Sequence, residues 1–106
     1  GASPTFHELG HYKHEQHIQH HARENGITPT QSKDRFNERL LEFLAENKYN
    51  IGDEISLYAK DHLMINNKKG NSNMTNEIIA ESFAKAALEN DKRARKIIDF
   101  LERGEW

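Results

Sequence analysis

One pentapeptide among the 106 residues carries side chains whose type and spacing suit chemistry: His7-Glu8-Leu9-Gly10-His11, the pattern H-E-x-x-H. On an α-helix each residue turns by roughly 100°, so residues four apart stand one turn above each other and two imidazoles can grip one zinc ion. Neutral imidazole nitrogen is a donor that suits zinc, and the metal lowers the pKa of a water it holds. Glu8, next to the first histidine, then points toward that water and can act as general base. The bare pattern is common by chance; its place at the start of a well-capped helix gives it weight.

A catalytic zinc takes three protein ligands and keeps one position for water. The remaining ligand should be a carboxylate or histidine on another helix. Glu77, in Asn76-Glu77-Ile78-Ile79-Ala80-Glu81-Ser82-Phe83-Ala84, is the best candidate. Ala80 and Ala84 are small and lie near the Glu77 face, which would let that helix approach the histidine helix closely. Glu81, one turn on, can reach a ring N–H of a ligand histidine and so fix its tautomer. The plain alternatives are a favourable first-turn charge for Glu77 and a solvated side chain for Glu81.

These segments carry a resemblance. His7-Glu8-Leu9-Gly10-His11-Tyr12, paired with Glu77-x-x-Ala80-Glu81-x-Phe83-Ala84, resembles zinc peptidases of the gluzincin type. The ImmA/IrrE family, the catalytic domain of anthrax lethal factor and related domains in phage head proteins look closest. The resemblance implies Glu77 as the third zinc ligand, because those families place it three residues before the alanine. Ile55-Ser56-Leu57-Tyr58-Ala59 is similar to the tyrosine-bearing segment of some phage-borne relatives, which implies that Tyr58 assists at the scissile carbonyl. The alternative for Tyr58 is a core side chain with its hydroxyl at the surface. The separation of His11 from Glu77 is longer than usual in these families, and the asparagine-rich stretch after Met64 is a candidate insertion.

Six of the seven histidines lie between His7 and His21. His14 and His21 fall within about 40° of His7 on a helical wheel, so metal could bind in more than one register. His7, His11 and His17 also have metzincin spacing. His14 occupies the place of the glycine that turns the chain in that motif, and an uninterrupted helix carries His17 away. Taken singly, each outer histidine reads as a partly exposed polar residue, with His14 or His21 at most a second-layer or adventitious ligand. A histidine-rich, metal-sequestering helix that also uses His17 and His20 is a competing reading of the whole tract.

The elements that must position these residues are helical. Ser3-Pro4 reads as an N-cap with proline at the first helical position, opening a helix over 4–24 that ends at Asn25-Gly26. Thr28-Pro29-Thr30 reads as a loop. Phe36, Leu40, Leu41, Phe43 and Leu44 recur at helical spacing over 31–47. Asp53 can cap a shorter helix holding Ile55, Leu57, Tyr58 and Leu63. The polar stretch 66–73 is expected to be a mobile loop. Thr75 or Asn76 starts the next helix, and a break at Asn90-Asp91 precedes a last one closed by Gly104. The expected fold is mainly α: four to five helices forming the active-site-helix half of a zincin-like domain over 4–106. Gly1-Ala2-Ser3 reads as a cloning remnant or as native sequence.

Composition narrows the function. Hydrophobic residues make up 35% of the chain and charged residues 30%, which leaves only a thin core for one small domain. A net charge of -2 gives no basic excess for nucleic acid. Without cysteine there are no disulfides or thiolate metal sites. No apolar run is long enough for a membrane span, and the polar start has no signal-peptide pattern, so a cytoplasmic protein is expected; the resemblance implies bacterial or phage origin. Zincin domains place a sheet before the active-site helix, and only six residues precede His7 here. The expectation is therefore a fragment of a larger parent protein, with zinc as cofactor, a peptide or protein as substrate and weak or no activity alone. Its rival is a non-enzymatic phage structural or assembly module that retains the helical scaffold.

Overall fold

Side-chain hydrogen bonds set where five of the six described helices begin. The computed structural model describes residues 3–106, which form six α-helices and no strand. α1 spans Phe6–Asn25, and its N-cap is Thr5 rather than Ser3. The Thr5 hydroxyl accepts from the Glu8 backbone N–H at 3.1 Å. Thr5-x-x-Glu8 competes with Ser3-Pro4 as a start signal, and it wins because both of its side chains engage. Gly26 closes the helix with φ of 63°, a left-handed conformation that glycine adopts without steric cost.

α2 spans Pro29–Glu46, so the expected loop at Thr28–Thr30 is largely helix. Thr28 and Gln31 form a reciprocal capping box, with Pro29 in the first turn where its missing N–H costs nothing. The expected single short helix after Asp53 is two: α3 (Ile51–Glu54), capped by Asn50, and α4 (Leu57–Lys68), capped by Ser56. α4 also runs into the stretch expected to be loop. The rest of that stretch is tied down, because the Asn37 amide donates to the Ser72 carbonyl and Lys33 Nζ donates to Asn73. Thr75 adds a bond from its hydroxyl to Asn37. α5 (Asn76–Glu89) and α6 (Lys92–Arg103) follow, separated at Asn90.

α1 and α5 are the central pair. α2 packs on α1, and α6 and α4 both pack on α5. Between them Ile18, Phe36, Leu40, Ile78, Ile79 and Ile97 are shut off from solvent. Each such burial is worth about 1.5–3 kcal/mol. Trp106 folds back into this core: its ring packs edge-on to Phe36 and its indole N–H donates to the Leu101 carbonyl. No described helix is long and apolar enough to cross a membrane.

The histidine helix is buried along its histidine stripe. Gly10, His14, Ile18, His21 and Ala22 face inward from α1. His14 and His21 are only 3% and 6% exposed, against the expectation of partly exposed polar residues. They share a wheel position with the inward-facing His7, so packing that stripe against α5 and α2 buries them too.

Candidate metal centre

The first turns of two helices build the centre. Thr5 fixes the start of α1, so His7 lies in its first turn and His11 one turn later. Glu77 is the second residue of α5, where the positive end of the helix dipole favours a carboxylate. The helices approach closely because Gly10 of α1 lies against the backbone of Ala80 of α5, beside the Cβ of Phe83. A Cβ added to Gly10 would stand 2.8 Å from Ala80 Cα and 3.1 Å from the Ala80 carbonyl oxygen. Only hydrogen fits there.

That approach brings three residues remote in sequence together. His7 Nε2 is 3.1 Å from Glu77 Oε2, His11 Nε2 is 3.0 Å from Glu77 Oε1, and the two Nε2 atoms are 3.1 Å apart. Ligand atoms around a tetrahedral zinc, each about 2.0–2.1 Å from it, stand roughly 3.3 Å from one another. The observed spacing is within a few tenths of that.

With both imidazoles neutral, the proton bookkeeping among these atoms does not close. The His7 Nδ1 atom is 2.9 Å from Glu81 Oε2, and since a carboxylate only accepts, Nδ1–H is the donor. Neutral His7 then presents a bare lone pair at Nε2. Buried Glu77 Oε2 faces that nitrogen and finds no hydrogen-bond donor. A proton on either Nε2 can serve one neighbour, not all three. One cation lying between the donors satisfies every lone pair at once, so the residues fit a divalent metal with a two-histidine, one-carboxylate ligand set.

Glu81 stands behind His7 and splits its two oxygens. Oε2 takes the His7 N–H, and Oε1 accepts from the Ser56 hydroxyl at 3.0 Å. Sequence reasoning named Glu81 but not Ser56. The available signal was a serine directly before a helical run, an N-cap pattern.

The other candidates stand further out. Glu8 is exposed, and its Oε1 accepts from the Thr5 hydroxyl at 3.2 Å. Tyr58 is 57% exposed, so it is not a core side chain; its ring centre is 6.4 Å from that of His7. His14 has no hydrogen bond to His7, His11 or Glu77. Its ring lies against Phe36, its Nε2 is buried without a partner, and burial pushes its pKa down to about 3. His21 stacks on Trp106 with ring centres 4.0 Å apart, and its Nδ1 is 2.7 Å from Ser32 Oγ. Ser32 gives its proton to the Ile18 carbonyl, so the imidazole is the donor in that pair. His17 and His20 lie down the helix toward Glu102 and Glu24, outside the metal-ligand group. No protein-family model, curated protein or solved structure matches this chain.

Proposed function

We propose that this chain provides the metal-binding helices of a zinc-dependent hydrolase of gluzincin type acting on peptide bonds. His7, His11 and Glu77 are its zinc ligands. The observation that carries the reading is the buried Glu77 carboxylate, with Oε2 left without a donor and set against two imidazole nitrogens of another helix. A carboxylate in that setting is costly unless a cation completes it. When bound, zinc supplies a Lewis acid that polarises the substrate carbonyl and makes water acidic.

The chain's own residues do the rest. Glu81 holds the His7 ring with Nε2 facing the ligand group. Glu8 takes the proton from the attacking water at its carboxylate, sharing or releasing the Thr5 hydroxyl as it does so. Tyr58, exposed beside His7, donates its phenolic proton toward the oxyanion of the substrate. The substrate is a peptide or protein, and the setting is the cytoplasm of a bacterium or of a phage-infected cell.

Metal content of protein purified without a metal column tests the ligand set. One zinc per chain is expected, lost in His11→Ala and in Glu77→Ala. Unchanged zinc stoichiometry and affinity in Glu77→Ala would reject the third ligand. The complete parent protein, zinc-loaded and incubated with a mixed peptide pool read by mass spectrometry, then tests hydrolysis: Glu8→Gln should keep zinc and abolish cleavage.

The bond between Glu8 and Thr5 favours a second reading. A glutamate serving only as a helix cap belongs to a non-enzymatic metal-bearing scaffold, such as a phage assembly module. Under that reading Glu8→Gln changes no processing event.

A further inference from the structure

We propose that Ser56 is a positioning residue of the metal centre, holding Glu81 so that Glu81 fixes the tautomer and orientation of His7; the inference rests on the zinc reading above. Its basis is how fully the hydroxyl is used. A serine hydroxyl has one proton to give and two lone pairs to offer. The Ala59 backbone N–H donates to Ser56 Oγ at 3.0 Å, as an N-cap requires. The single proton goes to Glu81 Oε1, also at 3.0 Å.

A continuous line of hydrogen bonds therefore links α4 through Ser56 to Glu81 on α5 and to His7 on α1. Ala59 donates to Ser56, and the donors of Ser56 and His7 converge on the two oxygens of the Glu81 carboxylate. A cap alone needs only an acceptor oxygen, and aspartate or asparagine would serve as well. Orienting a carboxylate needs a donor. Serine or threonine is required where both are done by one atom. Without the Ser56 proton, Glu81 can rotate away from His7, and Nδ1–H no longer has a fixed acceptor. The same hydroxyl sets the start of α4, and with it Tyr58 two residues on, relative to the ligands.

The experiment uses the full chain. Zn2+ affinity is measured by competition with a fluorescent chelator, beside thermal unfolding of the zinc-free protein, for Ser56→Thr, Ser56→Gly and Ser56→Asp. Glycine and aspartate are both accepted at N-caps but give Glu81 no proton. Ser56→Thr should match the wild type in both measurements. Ser56→Gly and Ser56→Asp should unfold within a few degrees of wild type yet bind zinc about tenfold more weakly, as for other groups that orient a ligand. If either variant folds and binds zinc as tightly as wild type, Ser56 is a cap only and the inference is overturned. Glu77→Ala separates the two failures: zinc lost there but unaffected by Ser56 variants sinks this inference alone. No zinc binding by the wild type sinks both.

Discussion

Gly10→Ala offers a demanding test of the α1–α5 crossing. Its new methyl group would stand 2.8 Å from Ala80 Cα, whereas ordinary contact begins near 3.4 Å, so the helices must part by roughly 0.6 Å. The obstacle is backbone, so no side-chain rotation relieves it. Overpacking of this kind costs about 1–3 kcal/mol, and the better helix propensity of alanine returns up to about 1 kcal/mol. A net strain of about 1–2 kcal/mol is expected, and it can surface in two places. If the zinc-free seam stays closed, the strain lowers stability. If the seam relaxes, zinc must draw it shut, and affinity falls by roughly 5- to 30-fold at 1.4 kcal/mol per tenfold. Chemical denaturation of the zinc-free chain and Zn2+ titration, done on the same samples, should together recover the whole strain. Ala80→Gly should not rescue the variant, because the nearest atom is the Cα that glycine keeps. A Gly10→Ala protein that is more stable than wild type and equally avid for zinc would refute the close approach and the ligand geometry built on it.

Two other outcomes follow from the buried histidines. His14 is held neutral by burial, with its pKa lowered from 6.5 to about 3, so the unfolded chain binds a proton that the folded chain refuses. Its contribution to stability is whole above pH 6.5 and is lost as pH falls from there toward 3, a loss of roughly 2 kcal/mol by about pH 5. Urea denaturation of zinc-free protein across that range should show the slope, and His14→Leu should flatten it; an equal slope in both proteins would remove His14 as the cause. His21→Ala removes the stack on Trp106 and should cost about 2–4 kcal/mol, with the near-ultraviolet signal of Trp106 altered and zinc stoichiometry unchanged. A fall in zinc capacity would instead favour the metal-sequestering helix.

Much of the centre was legible because its spacing is imposed by helix geometry. Two histidines four apart must share a face, whereas Glu77 as their partner is what the resemblance to gluzincins implies from its place three residues before Ala80. The approach of the helices was also legible, in Ala80, although Gly10 contributes the tighter half of the contact. Helix starts were less so. Ser3-Pro4 and Thr5-x-x-Glu8 are both valid local signals, and the choice depends on which side chains close their hydrogen bonds. The split at Ile55-Ser56 was hidden because the apolar residues keep helical spacing across it, while the chain turns to let Ser56 reach Glu81. Burial of His14 and His21 escaped for a different reason. A polar residue on a stripe can face water or fill a core, and Phe36 and Trp106, remote in sequence, decide it.

The joining of Glu77 to His7 and His11 has a consequence for assembly of the molecule. A cation held there is a cross-link between the first helix and the fifth, closing a loop in which 65 residues lie between His11 and Glu77. Such a clasp removes far more freedom from the open chain than from the finished one. It also cannot snap shut early: during synthesis every histidine of α1 emerges long before the carboxylate that opposes it. Secure metal retention then reports that the polypeptide has reached α5 and docked it correctly. A chain broken off just before that point would keep all seven of its histidines, and would lack the carboxylate that completes the site.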